Sequence, residues 1–136
     1  MKHYMFDGDS FKDLGGFFVA FGKMINGEGG YFGKDFGSFD DCLFGGYGME
    51  TPCTIVWQNS SASKKWLGHE AYYKWCQEQR DKKKYLDEEG FNYLTSHIAQ
   101  AKNNSGRTMF DQIIDSIKSV GNRSAGKVKI ELLLND

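Results

Sequence analysis

The feature that most narrows the fold is the spacing of three short strand-like runs. Tyr4 to Phe6, Cys53-Thr54-Ile55-Val56-Trp57 and Lys127 to Leu134 carry β-branched, aromatic or alternating apolar residues, and long helical stretches separate each from the next. Strands this far apart are not joined by hairpins. Crossovers must connect them, and helical crossovers between parallel strands are right-handed. The expectation is an α/β fold with a small, mostly parallel sheet packed with helices, as a single domain over residues 1–136. At that length a core can form without disulfides or metals.

The helical stretches carry their own punctuation. Ser10 is expected to cap a first helix, with Asp13 as its capping-box acid and Leu14, Phe17, Phe18, Phe21 and Met24-Ile25 as its buried stripe. Asn26 to Gly30 ends that helix. A second runs from about Lys34 to Phe44, where Phe32, Phe36, Phe39 and Leu43 share one face and Gly37 and Asp41 share nearly the opposite one. Gly45-Gly46-Tyr47-Gly48 stops it. Ala62 to Gly68, Glu70 to Leu86 and Phe91 to Lys102 read as further helices, with Asp87 to Gly90 as a turn. Thr108 and Asp111 form a capping box for a last helix ending near Gly121.

Composition excludes several function classes. No run approaches the 18 apolar residues of a membrane span, and Met1-Lys2-His3-Tyr4 does not open a secretory signal. Cys42, Cys53 and Cys76 are odd in number and lack CxxC spacing, which fits a reducing cytoplasm and packing roles rather than a disulfide framework or a zinc site. His3, His69 and His97 show no metal-ligand spacing. No nucleophile elbow or phosphate-cradling loop is present, so neither an enzyme, a metal nor a cofactor is expected. A hydrolase built on Cys42 or Cys76 with a distant histidine is the alternative on the enzyme side.

Charge is distributed unevenly despite a net value of −1. Between Gly27 and Cys53 lie Glu28, Asp35, Asp40, Asp41 and Glu50 against Lys34 alone. Between Lys64 and Lys84 bases outnumber acids, interleaved with Trp66, Tyr72, Tyr73 and Trp75. Such a division suits partners guided by charge. The basic stretch could also be read as a nucleic-acid patch, but the preferred reading is amphipathic helices whose lysines face water.

The stretch Tyr31-Phe32-Gly33-Lys34-Asp35-Phe36-Gly37-Ser38-Phe39-Asp40-Asp41-Cys42-Leu43 resembles the signature of the barstar family of intracellular ribonuclease inhibitors: two aromatics and a glycine opening a helix that ends in Asp-Cys-Leu, followed closely by a glycine, here Gly45. The opening strand, Asp13-Leu14, Ile55-Val56-Trp57, Lys64-Lys65 and the closing helix and strand are similar to the family too. The likeness covers about residues 1–67 and 108–134, leaving 68–107 as a helical insertion.

The resemblance implies a three-stranded parallel sheet and inhibition by plugging. An acidic loop–helix enters the cationic cleft of a ribonuclease or ribonuclease-like toxin, where a carboxylate meets the groups that bind phosphate. On this reading the partner is that protein, and neither a membrane nor a nucleic acid. Carried over by position, Asp41 is the main inhibitory acid; Tyr31, Phe32, Gly33, Asp35, Asp40, Phe44 and Gly45 are further partner-binding positions, and Asp115 is the candidate acid of the last helix. Two departures bear on the target. Gly37 stands where the family carries a second acid, and Asp40 where it carries a tryptophan. A barstar-fold module for a non-nuclease partner is the alternative.

Overall fold

The computed structural model describes residues 1–26, 35–82 and 86–136. The described elements are β1 (Lys2–Asp7), α1 (Leu14–Asn26), α2 (Phe36–Leu43), a 3-10 turn (Gly46–Gly48), β2 (Cys53–Gln58), α3 (Ser60–Trp66), α4 (His69–Asp81), α5 (Glu88–Lys102), α6 (Met109–Arg123) and β3 (Ile130–Leu134). The sheet has the order β1-β2-β3 with both neighbouring pairs parallel, the three-stranded α/β arrangement expected.

Register explains which side chains go inward. Phe6, Trp57 and Leu134 form one row across the sheet, and Tyr4, Ile55 and Leu132 form the next row on the same face. Against this face lies a cluster of rings. Phe6 packs edge-on to Phe17, Phe21 and Trp57 at centroid distances of 5.7, 5.6 and 5.0 Å. Phe110 of α6 packs on Trp57 at 5.2 Å, and Phe39 of α2 on Phe21 at 5.0 Å. These edge-to-face contacts follow the quadrupole preference of aromatic rings. The indole N–H of Trp57 donates to Ser63 Oγ at 2.8 Å, and that hydroxyl donates to the Gly8 carbonyl at 2.6 Å, so the one polar atom of the buried indole is satisfied. A Cβ on Gly8 would stand 2.6 Å from both the Gln58 carbonyl and that indole nitrogen, which is why the β1 exit needs glycine.

Several boundaries differ from expectation for local reasons. Asp13, not Ser10, starts α1: its carboxylate accepts from Gly16 N–H at 2.6 Å, while Ser10 hydrogen-bonds back to the Asp7 carbonyl. Asp87 to Gly90 is not a turn but a helix start, because Asp87 caps α5 through the Gly90 N–H at 2.7 Å. The Thr108–Asp111 capping box is present. Its helix runs through Gly121 to Arg123, and the chain reverses on Ala125 and Gly126, both at positive φ, so regular strand begins at Ile130 rather than Lys127.

α4 and α5 form a hairpin closed at its base. Met109 N–H donates to the Gly68 carbonyl at 3.2 Å and Phe110 N–H to that of Leu67 at 2.7 Å, so the chain returns where it left. Tyr72, Cys76, Leu94, Ile98 and Ala101 tie the hairpin into the core. The aromatics of the basic stretch serve this packing. Tyr72 is buried, and Trp75 packs on Phe36 at 5.3 Å. Lys65 lies over Trp66, Arg80 over Phe91, and Lys74 pairs with Glu70. Among the described residues no helix is long and apolar enough to cross a membrane, and no cluster of three or more His, Cys, Asp or Glu could hold a metal ion.

Candidate partner-binding face

The site is built on α2. Asp35 is its N-cap, accepting from Ser38 N–H at 2.7 Å, so this carboxylate satisfies a free amide of the first turn. Phe39, Cys42 and Leu43 are fully buried and Phe36 partly so, which anchors the inner face. Burial pushes the Cys42 thiol up to about 12, far from the thiolate a nucleophile needs, and the buried Cys76 thiol is also raised. Gly37 and Asp41 are exposed on the outer face.

The end of the helix is unusual electrostatically. Asp40 and Asp41 both stand in its last turn, where the backbone carbonyls already concentrate negative charge, and α2 has no base there. Asp40 is compensated from elsewhere. Arg123, in the last turn of α6, donates from its two terminal nitrogens to the two Asp40 oxygens at 3.0 Å each. The same guanidinium donates to Ser119 Oγ at 2.9 Å and to the Ser116 carbonyl at 2.8 Å, and it lies over the Phe44 ring at 5.4 Å. Asp41 has no such partner: among the described residues no base and no donor engages its carboxylate.

The turn after α2 holds this arrangement in place. Phe44 N–H closes on the Asp40 carbonyl at 2.9 Å, and Gly45 follows at φ +103°, the left-handed conformation in which glycine ends a helix without strain. Gly46 packs so close that a Cβ would lie 2.7 Å from the Asp41 carbonyl oxygen. Tyr47 adopts φ +59° and is 42% exposed, and Phe44 is 43% exposed beneath the Arg123 guanidinium.

Asp40, Asp41, Phe44 and Gly45 therefore lie together, with Asp35 at the opposite end of the same helix. Asp115 is exposed on α6, paired with Arg107, whose Nη1 also donates to Gln112 Oε1 at 2.9 Å. An open groove lined by Asp40, Gln112, Asp115, Ser116 and Arg123 joins Asp115 to Asp40. Tyr31, Phe32 and Gly33 lie outside the described residues. Arg123 and Arg107 were not legible as site neighbours. Both lie more than 60 residues from α2 in sequence, and Arg123 follows the glycine expected to end its helix.

A family model described as Barstar (barnase inhibitor) matches residues 1–94. The matched span contains all of α2 and the turn after it, and runs through α4 into α5. No curated protein matches the chain.

Proposed function

The chain belongs to the barstar family, and from that premise we propose that it is a protein inhibitor of a ribonuclease or ribonuclease-like toxin, with Asp41 as the group that enters the enzyme's cationic cleft. The observation that supports this reading is the contrast between two adjacent acids. Asp40 is neutralised by a bidentate arginine, whereas Asp41 stands exposed, with no compensating base among the described residues, at the carbonyl end of a helix whose other face is locked in the core. A carboxylate placed there gains most when a partner supplies the missing cation. Phe44 and Gly45, beside it, would form the rim of the contact, and Tyr31, Phe32 and Gly33 precede the same helix in sequence. Asp35, Asp40 and Asp115 act in this scheme through capping and ion pairing, setting the shape of the face.

The experiment is inhibition of, and binding to, ribonucleases with cationic active sites, beginning with any nuclease encoded beside this chain. Asp41→Ala is measured in parallel. The expected loss is about 2–5 kcal/mol of binding, the range for one partner of a buried charged pair at an interface. An Asp41→Ala variant that inhibits as well as the parent would exclude the plug. Stable folding with no effect on any nuclease would favour a barstar-fold module for another protein.

A further inference from the structure

Only Leu67 and Gly68 separate α3 from α4, and Leu67 is fully buried, so the corner between these helices is anchored in the core. The start of α1 lies against that corner. Between the three elements is a cleft of about 690 Å³, within the size range of small-molecule sites. Leu14 and Phe18 of α1, Trp66 of α3, and Ala71 and Trp75 of α4 give it apolar walls. Phe18 and Trp75 both pack on Phe36, at centroid distances of 5.4 and 5.3 Å, so these walls are set by the core rather than by free side chains.

Two cations converge on one ring of this cleft. The ammonium groups of Lys12, before α1, and Lys65, in the last turn of α3, lie 5.8 and 5.4 Å from the centre of the Trp66 indole. Among the described residues neither forms an ion pair. The other titratable groups of the lining are placed differently. Asp13 accepts from the Gly16 N–H at 2.6 Å, Glu70 pairs with Lys74 at 3.3 Å, and His69 Nε2 meets the Gly106 carbonyl at 3.2 Å. Glu78 lies about two turns further along α4 than Glu70. The indole attracts each ammonium but cancels no charge. Two like charges brought together from different elements repel, and an anion between them turns that repulsion into attraction. We propose that the cleft binds a small aromatic anion, with its ring against Trp66 and Trp75 and its charged group between Lys12 and Lys65. Apolar walls with a few convergent polar groups are the usual make-up of such sites. The proposal does not depend on ribonuclease inhibition, since Asp41 faces outward at the other end of α2 from Phe36.

The three tryptophans supply the assay. The indole N–H signals of the nitrogen-15-labelled whole chain are followed by NMR while naphthalene-1-sulfonate is added to about 10 mM. Trp66 and Trp75 should shift saturably, with a Kd of about 1 mM or tighter for a probe of this size. Trp57, fully buried and bonded to Ser63, is the internal reference and should stay still. Lys12→Gln and Lys65→Gln, both at exposed side chains, should each weaken binding about tenfold with an unchanged melting curve. Neutral 1-naphthalenemethanol should bind more weakly than the sulfonate and be indifferent to both variants. AMP is the second anionic probe. Lysine-dependent binding of AMP would support the proposal with a nucleotide as ligand, and binding of the sulfonate without AMP would support it with another aromatic acid. Failure of both anions to shift Trp66 and Trp75 saturably, equal shifts at all three indoles, or binding that both lysine variants leave unchanged would overturn it.

Discussion

Arg123 reaches from the last turn of α6 to grip both carboxylate oxygens of Asp40 in the last turn of α2, at 3.0 Å each. The pair joins two helix ends far apart in sequence, it is end-on through both terminal nitrogens, and the guanidinium is held by further contacts. Exposed ion pairs contribute little on average, and this one is partly exposed. Its good geometry places it near the upper end of that range. A double-mutant cycle with Arg123→Ala and Asp40→Ala, read by urea unfolding, should return a coupling of about 0.5–1 kcal/mol. A coupling within error of zero would mean that the clamp carries no energetic weight in solution.

Asp41 should behave in the opposite sense. Its charge opposes the carbonyl end of the helix and has no compensating base among the described residues, so Asp41→Asn should raise stability by about 0.3–1 kcal/mol. Thermal melts at low and high salt check this, because screening should shrink the gain. A clear loss of stability would show that the carboxylate has a structural partner. The same substitution is expected to weaken inhibition, so stability and binding should move in opposite directions.

Ser63 is fully buried between the Trp57 indole and the Gly8 carbonyl. Ser63→Ala removes both bonds and strands the indole N–H and a carbonyl in the core, at a cost of about 1–3 kcal/mol. Chemical denaturation gives the value, and Trp57 fluorescence should report the altered environment.

The α4–α5 hairpin should respond to acid. The Tyr72 hydroxyl lies 2.8 Å from His97 Nδ1, and the imidazole stacks on Tyr93 at 4.1 Å. Burial, and after it the positive charge of Arg107, holds His97 below the ordinary histidine value. The native state thus keeps the ring neutral, and the unfolded chain takes up the proton first as pH falls through about 6.5. Stability from this group is full above that value and declines as pH drops through the native one. His97→Gln should flatten the stability profile between about pH 7 and pH 5. An unchanged slope in the variant would assign the acid response to other groups.

Much of the fold was legible because periodicity and caps are local. The short strand run Tyr4 to Phe6, the β-branched run Cys53 to Trp57, the stripe Phe17–Phe21 and the Thr108–Asp111 box all act within a few residues, and the structure shows them in those roles. Choices between competing caps were less legible. Ser10 and Asp13 both suit a helix start, and burial of Phe11 before α1 accompanies the choice of Asp13. Asp87 read as part of a turn because Asp-Glu-Glu-Gly serves either purpose until the helix behind it packs. At the candidate face, the outward direction of Asp41 follows from helical geometry alone. The fate of Asp40 does not, since it depends on an arginine 83 positions away. Long-range ion pairs leave no periodic mark in a sequence, so the difference between two neighbouring aspartates appeared only in three dimensions.

That difference has a meaning in the language of energy landscapes. Natural sequences tend toward contacts that support one another, and a residue whose local setting opposes it is a point of frustration. With Asp40 relieved by Arg123, the conflict at the end of α2 is concentrated on one exposed carboxylate. A binding partner that brings positive charge to that point would settle a mismatch the monomer retains. The helix end would then be quieter in the complex than in the free protein.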